Sequence, residues 1–302
     1  MTIDEGAGRI AVTGASGLLG SKLAFRLAAE GAQQRLVVRD ASRVPVLPDG
    51  DPLPESDVAV VAGYDDAPSM AEAFAGVETV FLVSAREDAD RVAQHRAAVD
   101  AAVAAGVRRI VYVSFVGAAP DATFTFARDH WHTEEYVRAS GLRHTFLRDN
   151  LYHRVLAHLV GDDGVIRGPA GDGRVASVSH DDVADVATAV LLDDHPERHD
   201  GATYDVTGPQ ALTLAEVART LADVVGREIT YVPETVDEAY ASRAGYGAPP
   251  FEVDGWVSSY TAIAVGDLAR VSDVVERFTG RHAQSLAEWL DDYPEQWAHL
   301  RP

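Results

Sequence analysis

The chain predicts an α/β fold in which a doubly wound parallel sheet carries a smaller C-terminal α+β lobe. Three observations lead there. Short apolar runs alternate with helical patterns through the first half, as in a parallel sheet covered on both faces. A glycine follows each helical stretch, at Gly31, Gly76, Gly106 and Gly141, where a left-handed residue ends a helix. And the run Ile10-Ala11-Val12 passes directly into a glycine-rich turn, Thr13-Gly14-Ala15-Ser16-Gly17-Leu18-Leu19-Gly20.

Taken in order, strands are expected over 9–13, 35–39, 58–62, 79–84, 109–114 and 144–148. Helices are expected near 18–30, 69–75, 88–105 and 129–140. After residue 150 the alternation loosens. Residues 175–178 and 203–206 read as strands that could return to the sheet, with a helix over 180–192 between them. Thr213-x-x-Glu216 and Ser285-x-x-Glu288 read as capping boxes opening two further helices. A dinucleotide-binding domain is therefore placed at 1–155, with 174–206 returning to it. The remaining segments, 156–173 and 207–302, form the substrate lobe. Within that lobe 238–260 is rich in Gly, Pro and aromatics (Tyr240, Tyr246, Phe251, Trp256, Tyr260). It reads either as packing for the lobe or as a wall around a flat apolar substrate, with Trp256 as the candidate contact.

Composition removes several function classes. At 302 residues, 47% hydrophobic and 24% charged, the chain has the make-up of a globular protein. No apolar run is long enough to span a membrane, and the start lacks a basic region followed by an apolar one. Zero cysteines exclude disulfides, thiolate metal sites and a cysteine nucleophile. A cytoplasmic location is expected. The net charge of −21 disfavours nucleic acid and anionic membrane as partners. A small aromatic molecule is the expected partner, for a monomer or a homodimer.

The glycine turn points to a dinucleotide. Gly14 permits the tight exit from the strand, Gly17 lets backbone approach a pyrophosphate, and Gly20 lets the helix pack closely on the sheet. The helix N-terminus adds unpaired N–H groups and partial positive charge. At the end of the second strand an acidic residue would bind ribose hydroxyls, whereas arginine would meet a 2′-phosphate. Arg39 holds that position with Arg43 close behind, which favours NADP(H); Asp40, beside them, keeps NAD(H) possible. His180-Asp181-Asp182 is better explained by Ser179 capping a helix than by a metal, and no metal is expected. Asn150, Tyr152 and His153 follow the sixth strand, where substrate contacts in such sheets are found.

These residues resemble the NmrA-like family of atypical short-chain dehydrogenase/reductases. The likeness is carried by the glycine turn, Val38-Arg39-Asp40-Ala41-Ser42-Arg43, Gly63-Tyr64-Asp65-Asp66, the stretches 75–84 and 104–114, and Thr145-Phe146-Leu147-Arg148-Asp149-Asn150. Gly171-Asp172-Gly173-Arg174-Val175-Ala176 and the segments 266–270 and 275–281 extend it over essentially the whole chain, with most similarity to the NAD(P)H:quinone oxidoreductase branch. The resemblance implies cofactor contacts at Gly14, Ser16, Gly17, Leu18, Arg39 and Asp65, and at Val83, Ser84 and Ala85 beside the nicotinamide ribose. It implies hydride transfer to a quinone or related aromatic carbonyl. It also leaves open a non-catalytic redox-sensing regulator, or a tailoring enzyme or atypical monooxygenase of aromatic polyketide assembly.

Standard members of the wider group pair a tyrosine with a lysine four residues on, so that the lysine lowers the tyrosine pKa for proton transfer. The corresponding stretch here is Phe126-Ala127-Arg128-Asp129-His130. The tyrosine is gone and histidine stands at the lysine position. His130 is the candidate contact to an acceptor oxygen, Glu134 the residue expected to orient or charge its imidazole, and Ser114 a further hydrogen-bonding candidate.

Overall fold

Seven strands form one sheet. The computed structural model describes residues 8–301. The chain runs β1 (Ile10–Thr13), α1 (Leu18–Ala29), β2 (Gln34–Val38), β3 (Ser56–Val60), α2 (Ala67–Ala73), β4 (Thr79–Leu82), α3 (Arg91–Ala104) and β5 (Arg109–Phe115). It continues through α4 (Thr125–Ala139), β6 (Arg143–Asp149), α5 (His153–His158), β7 (Val165–Gly168), β8 (Arg174–Val175), α6 (His180–Leu191) and β9 (Ala202–Val206). β10 (Leu212–Thr213), α7 (Leu214–Val225), β11 (Thr230–Pro233), α8 (Val236–Arg243), α9 (Pro250–Val265), α10 (Val274–Thr279) and α11 (Leu286–Asp292) complete it.

The sheet order is β3-β2-β1-β4-β5-β6-β9, and the pairs β3–β2, β2–β1, β1–β4 and β4–β5 are parallel, with Val12 opposite both Leu36 and Phe81. β1 and β5 are buried along their whole length, as strands covered on both faces must be. The chain steps outward from β1 to β3 and then returns to the other side of β1 with β4. The order therefore reverses between β1 and β4, and a ligand crevice forms beyond the carboxyl ends of strands at such a reversal.

The four expected helix-ending glycines all have positive φ, between 70° and 82°. Both expected capping boxes are present, and a third, Thr235 with Glu238, opens α8. The second half departs from expectation in two places. β8 is only two residues long and pairs antiparallel with β10, so it does not rejoin the main sheet, whereas β9 does. The 238–260 segment is mostly helix. Gly247, with φ 66°, turns the chain after α8, and Pro249 and Pro250 at the N-cap and first position restart it as α9. Gly255 faces the Phe126 ring, where an added Cβ would lie 2.3 Å from a ring carbon.

Two compact units result. The first takes the chain up to Ser114 together with Asp129–Arg148 and Val183–Tyr204; the second takes Phe115–Arg128, Asp149–Asp182 and everything from Asp205. Val80, Leu82, Ile110, Tyr112 and Phe146 lie in the core of the first, and Ile166, Leu214, Leu221, Ile263 and Leu290 in that of the second. Among the described residues no helix is long and apolar enough to cross a membrane.

Candidate cofactor site

The glycine turn is shaped by three close approaches. Gly14 takes φ +60°, and its carbonyl accepts the Gly17 N–H at 2.8 Å. Gly17 is the N-cap of α1 and brings no side chain to cap the first-turn N–H groups. Gly20 does a different job from the one expected. An added Cβ there would lie 2.3 Å from the Gly14 carbonyl oxygen and 3.0 Å from Ala15 Cα, so its close packing is onto the turn rather than the sheet.

A cavity of about 390 Å³ opens against this turn, within the first unit. Gly14, Ser16, Gly17, Arg39, Arg43, Asp65, Val83, Ser84 and Ala85 all line it, so four stretches separated in sequence converge on one space. Leu18, which starts α1 and is 44% exposed, and Gly20 do not line it.

Arg39 and Arg43 stand at the end of β2 and both are exposed. Asp40, between them, is not part of the lining. Its carboxylate caps the short 3-10 turn Ala41–Arg43, accepting the Ser42 N–H at 2.9 Å and the Ser42 hydroxyl at 2.7 Å. Those bonds hold its carboxyl below the usual carboxylate range. The acidic side chain is thus engaged locally while both arginines line the cavity.

A hydrogen-bonded network that the sequence did not disclose runs through this wall and behind it. Thr13 Oγ1 accepts the Val83 N–H at 2.9 Å, joining the ends of β1 and β4. The Tyr64 hydroxyl sits 2.6 Å from the Val83 carbonyl and 2.7 Å from Thr13 Oγ1, and burial pushes its pKa up to about 12. His95 and Arg91 grip the Ala85 peptide from α3. Burial, reinforced by Arg91, lowers the His95 pKa to about 3, so the ring is neutral. The signal available in sequence was faint: Arg91 and His95 share a helix face with Ala98, Val99 and Ala102, polar residues on an apolar period.

The residues proposed for catalysis are placed together but bonded differently from expectation. α4 begins four residues earlier than expected, at Thr125, and carries both His130 and Glu134. Glu134 is fully buried, accepts the Ser114 hydroxyl at 2.6 Å, and is held by Arg148 at 2.7 Å and Arg138 at 3.0 Å. Its partners are thus arginines and a serine, not the imidazole it was expected to charge. His130 Nδ1 instead lies 2.9 Å from the Tyr112 hydroxyl. Burial, with Arg91, His95 and Arg148 adding to it, drives the His130 pKa well below its usual value, so this ring too is neutral. Among the described residues, the cavity lining does not include Ser114, His130 or Glu134.

The substrate candidates lie in the second unit. Asn150 is buried, donating to the Leu268 carbonyl and accepting the Leu151 N–H. Tyr152 donates to Asp149, stacks on His180 at 3.7 Å, and has its pKa raised well above normal by burial and Asp149. His153 is bonded at Nδ1 to Ser177 and at Nε2 to the Gln284 carbonyl, and burial lowers its pKa to about 4. Half-buried Trp256 meets Tyr246 edge-on at 6.2 Å. Ser179 caps α6 by accepting the Asp182 N–H at 3.0 Å, and no metal-holding cluster occurs among the described residues.

Comparison with known proteins follows the same lines. An NAD(P)H azoreductase of Xenophilus azovorans is 32% identical over 284 residues, covering 93% of this chain and 96% of its own. A (4-alkanoyl-5-oxo-2,5-dihydrofuran-3-yl)methyl phosphate reductase of Streptomyces griseus is 34% identical over 297 residues, covering 96% and 99%. The crystal structure of an NADPH-dependent quinone oxidoreductase of Escherichia coli, complexed with NADPH, superposes with a TM-score of 0.82 at 29% identity, covering 94% of this chain and 99% of that one. The model of the NmrA-like family matches residues 6–244, and the chain belongs to that family.

Proposed function

We propose that this chain is an oxidoreductase that takes hydride from NADPH and delivers it to a quinone or a related conjugated aromatic acceptor. The observation that carries the cofactor choice is the pair of arginines on the cavity wall with Asp40 turned onto Ser42. Two guanidinium groups suit a 2′-phosphate, and a carboxylate already capping a turn does not compete for ribose hydroxyls. The glycine turn and the first turn of α1 would hold the pyrophosphate, and Val83 to Ala85 the nicotinamide end. The relatives named above are all reductases or oxidoreductases, and two of those names give NAD(P)H or NADPH.

The acceptor class follows from the proton inventory. When bound, NADPH supplies a hydride at the nicotinamide ring. Among the described residues considered for proton transfer none is a strong acid: His130 is neutral, and the Ser114 hydroxyl is committed to Glu134. Reducing a simple ketone makes an alkoxide that needs a proton in the transition state. Reducing a quinone makes a phenolate whose charge the ring delocalises, and the proton can follow from water. Positioning acceptor and donor face to face then supplies most of the rate.

A second reading, a cofactor-sensing protein without turnover, is favoured by one observation: the cavity lining lacks all three residues considered for catalysis. Anaerobic loss of NADPH and NADH absorbance against a quinone panel separates the two. Turnover preferring NADPH supports the reductase. Tight cofactor binding with no turnover across quinones, azo dyes and conjugated lactones overturns it in favour of the sensor.

A further inference from the structure

The peptide of Ala85 is gripped at both polar groups from behind the cavity wall. Its N–H donates to Nε2 of His95 at 2.8 Å, and its carbonyl accepts from Nε of Arg91 at 2.9 Å. The two side chains are one turn apart on α3 and both are buried. The other face of the imidazole is equally committed. Nδ1 lies 2.8 Å from Thr133 Oγ1, and the Thr133 hydroxyl donates to the Asp129 carbonyl at 2.8 Å. An amide N–H can only donate, so Nε2 must be the nitrogen with the lone pair; Nδ1 then carries the proton and gives it to Thr133. The bonds run one way, from Ala85 through His95 and Thr133 to Asp129, and lock a single neutral tautomer. Arg91 also reaches to 3.9 Å from the Asp129 carboxylate, so both arms of the clasp end on one residue of α4. The rings of Tyr112 and Tyr64 flank the imidazole at 5.7 and 6.4 Å.

The geometry points to His95 as a positioning residue for the cofactor site, acting with Arg91 and Thr133 through the Ala85 peptide. This role rests on the cofactor reading above. Residues 83–86 lie beyond the end of β4 in no regular structure, so no sheet ladder holds them, yet Val83, Ser84, Ala85 and Arg86 all line the cavity. The clasp replaces the missing ladder. With the Ala85 N–H and carbonyl both turned inward, the polar side chains this stretch offers a ligand are those of Ser84 and Arg86. Burying an imidazole and a guanidinium costs free energy unless each is fully bonded, and here the bonds made are those that fix this wall.

The test measures NADPH affinity by titration of the cofactor-free protein, and hydrogen exchange of the Ala85 amide, in wild type, His95→Leu, His95→Gln and Thr133→Val. Leucine removes the acceptor. Exchange at Ala85 is expected to quicken, and the Kd for NADPH to rise, by about tenfold or more each, the worth of one buried hydrogen bond. Glutamine, whose Oε1 accepts near the place of Nε2, is expected to restore both to within about threefold. A merely structural role would lower the unfolding midpoint of both His95 variants alike and leave NADPH affinity untouched; that result overturns the assignment. If His95→Leu does not fold, Thr133→Val decides, because it keeps the ring and removes the partner of Nδ1. Wild-type exchange and affinity in that variant overturn the assignment as well. A wild type that binds no NADPH ends the cofactor reading and this role with it, whereas faster exchange at Ala85 with unchanged affinity ends only the role.

Discussion

Gly20→Ala is the sharpest perturbation of the glycine turn, because what the new methyl meets is backbone. Its Cβ would sit 2.3 Å from the Gly14 oxygen, 2.8 Å from the Gly14 carbonyl carbon and 3.0 Å from Ala15 Cα. Ordinary contact begins at 3.4 Å, so the turn or the helix must yield by roughly 1 Å. Overpacking of this kind costs about 1–3 kcal/mol. A shift of that size in a phosphate-binding turn also misplaces the cofactor, and a misplacement near 1 Å can cost about 100-fold in rate. The expected result is a Tm lower by several degrees and an NADPH Kd raised by about tenfold or more. Gly31→Ala is the matched control. Gly31 has φ +70° with nothing within 4 Å of an added Cβ, so alanine there pays about 1–2 kcal/mol of left-handed strain and displaces nothing. Titration of both variants with NADPH, alongside thermal unfolding, separates strain from displacement. Gly20→Ala with wild-type affinity, or an equal loss of affinity in Gly31→Ala, refutes the reasoning.

Three further outcomes are expected. Arg39→Ala should weaken NADPH binding by about 10- to 100-fold, the worth of charge-assisted bonds to a phosphate, and leave NADH binding nearly unchanged; equal losses for both cofactors would remove the 2′-phosphate assignment. Ser42→Ala removes the hydroxyl that holds the Asp40 carboxylate, leaving only the bond from the backbone N–H, and should shift the ratio of NADPH to NADH affinity toward NADH, read from paired titrations, with no shift counting against the capping argument. Stability should also fall with acid. His95 and His153 bind protons at about 3 and about 4 when folded and near 6.5 when unfolded, so below 6.5 the unfolded chain takes up protons that the folded one refuses. Stability is full above pH 6.5 and drops as pH falls, by roughly 1 kcal/mol per pH unit for each histidine. Urea midpoints at pH 7, 6 and 5 measure this, and a flat series contradicts it.

The first half of the fold was legible because its signals are local. A strand buried on both faces must be a continuous apolar run, and the residue that ends a helix in a left-handed turn must tolerate positive φ; Ile10–Thr13 and Gly31 satisfy those demands wherever they sit in space. The second half was harder for the same reason. Nothing in Arg174–Val175 says that its partner is Leu212–Thr213 rather than the main sheet, because two residues carry no register of their own. In the 238–260 segment, glycines and prolines that read as loop were marking a helix end and a helix start.

The site divides along the same line. Gly14, Gly17 and Arg39 could be read as candidates because each stands at a strand end or turn whose place is set by the order of elements, Asp65 came from the family resemblance, and all four line the cavity. What surrounds them could not, because a side chain's partner on another element leaves no trace in spacing. His130 and Glu134 are one helical turn apart, and spacing alone paired them. Packing gave Glu134 to Ser114, Arg138 and Arg148 and set His130 against Tyr112. That exchange of partners has a chemical consequence. An imidazole beside a free carboxylate would keep its proton and serve as an acid, whereas one buried among arginines loses it. The same physics that hid the partners from the sequence leaves the His130 ring neutral, which is why the proposed reaction draws no general acid from it and favours acceptors that can hold the incoming charge themselves.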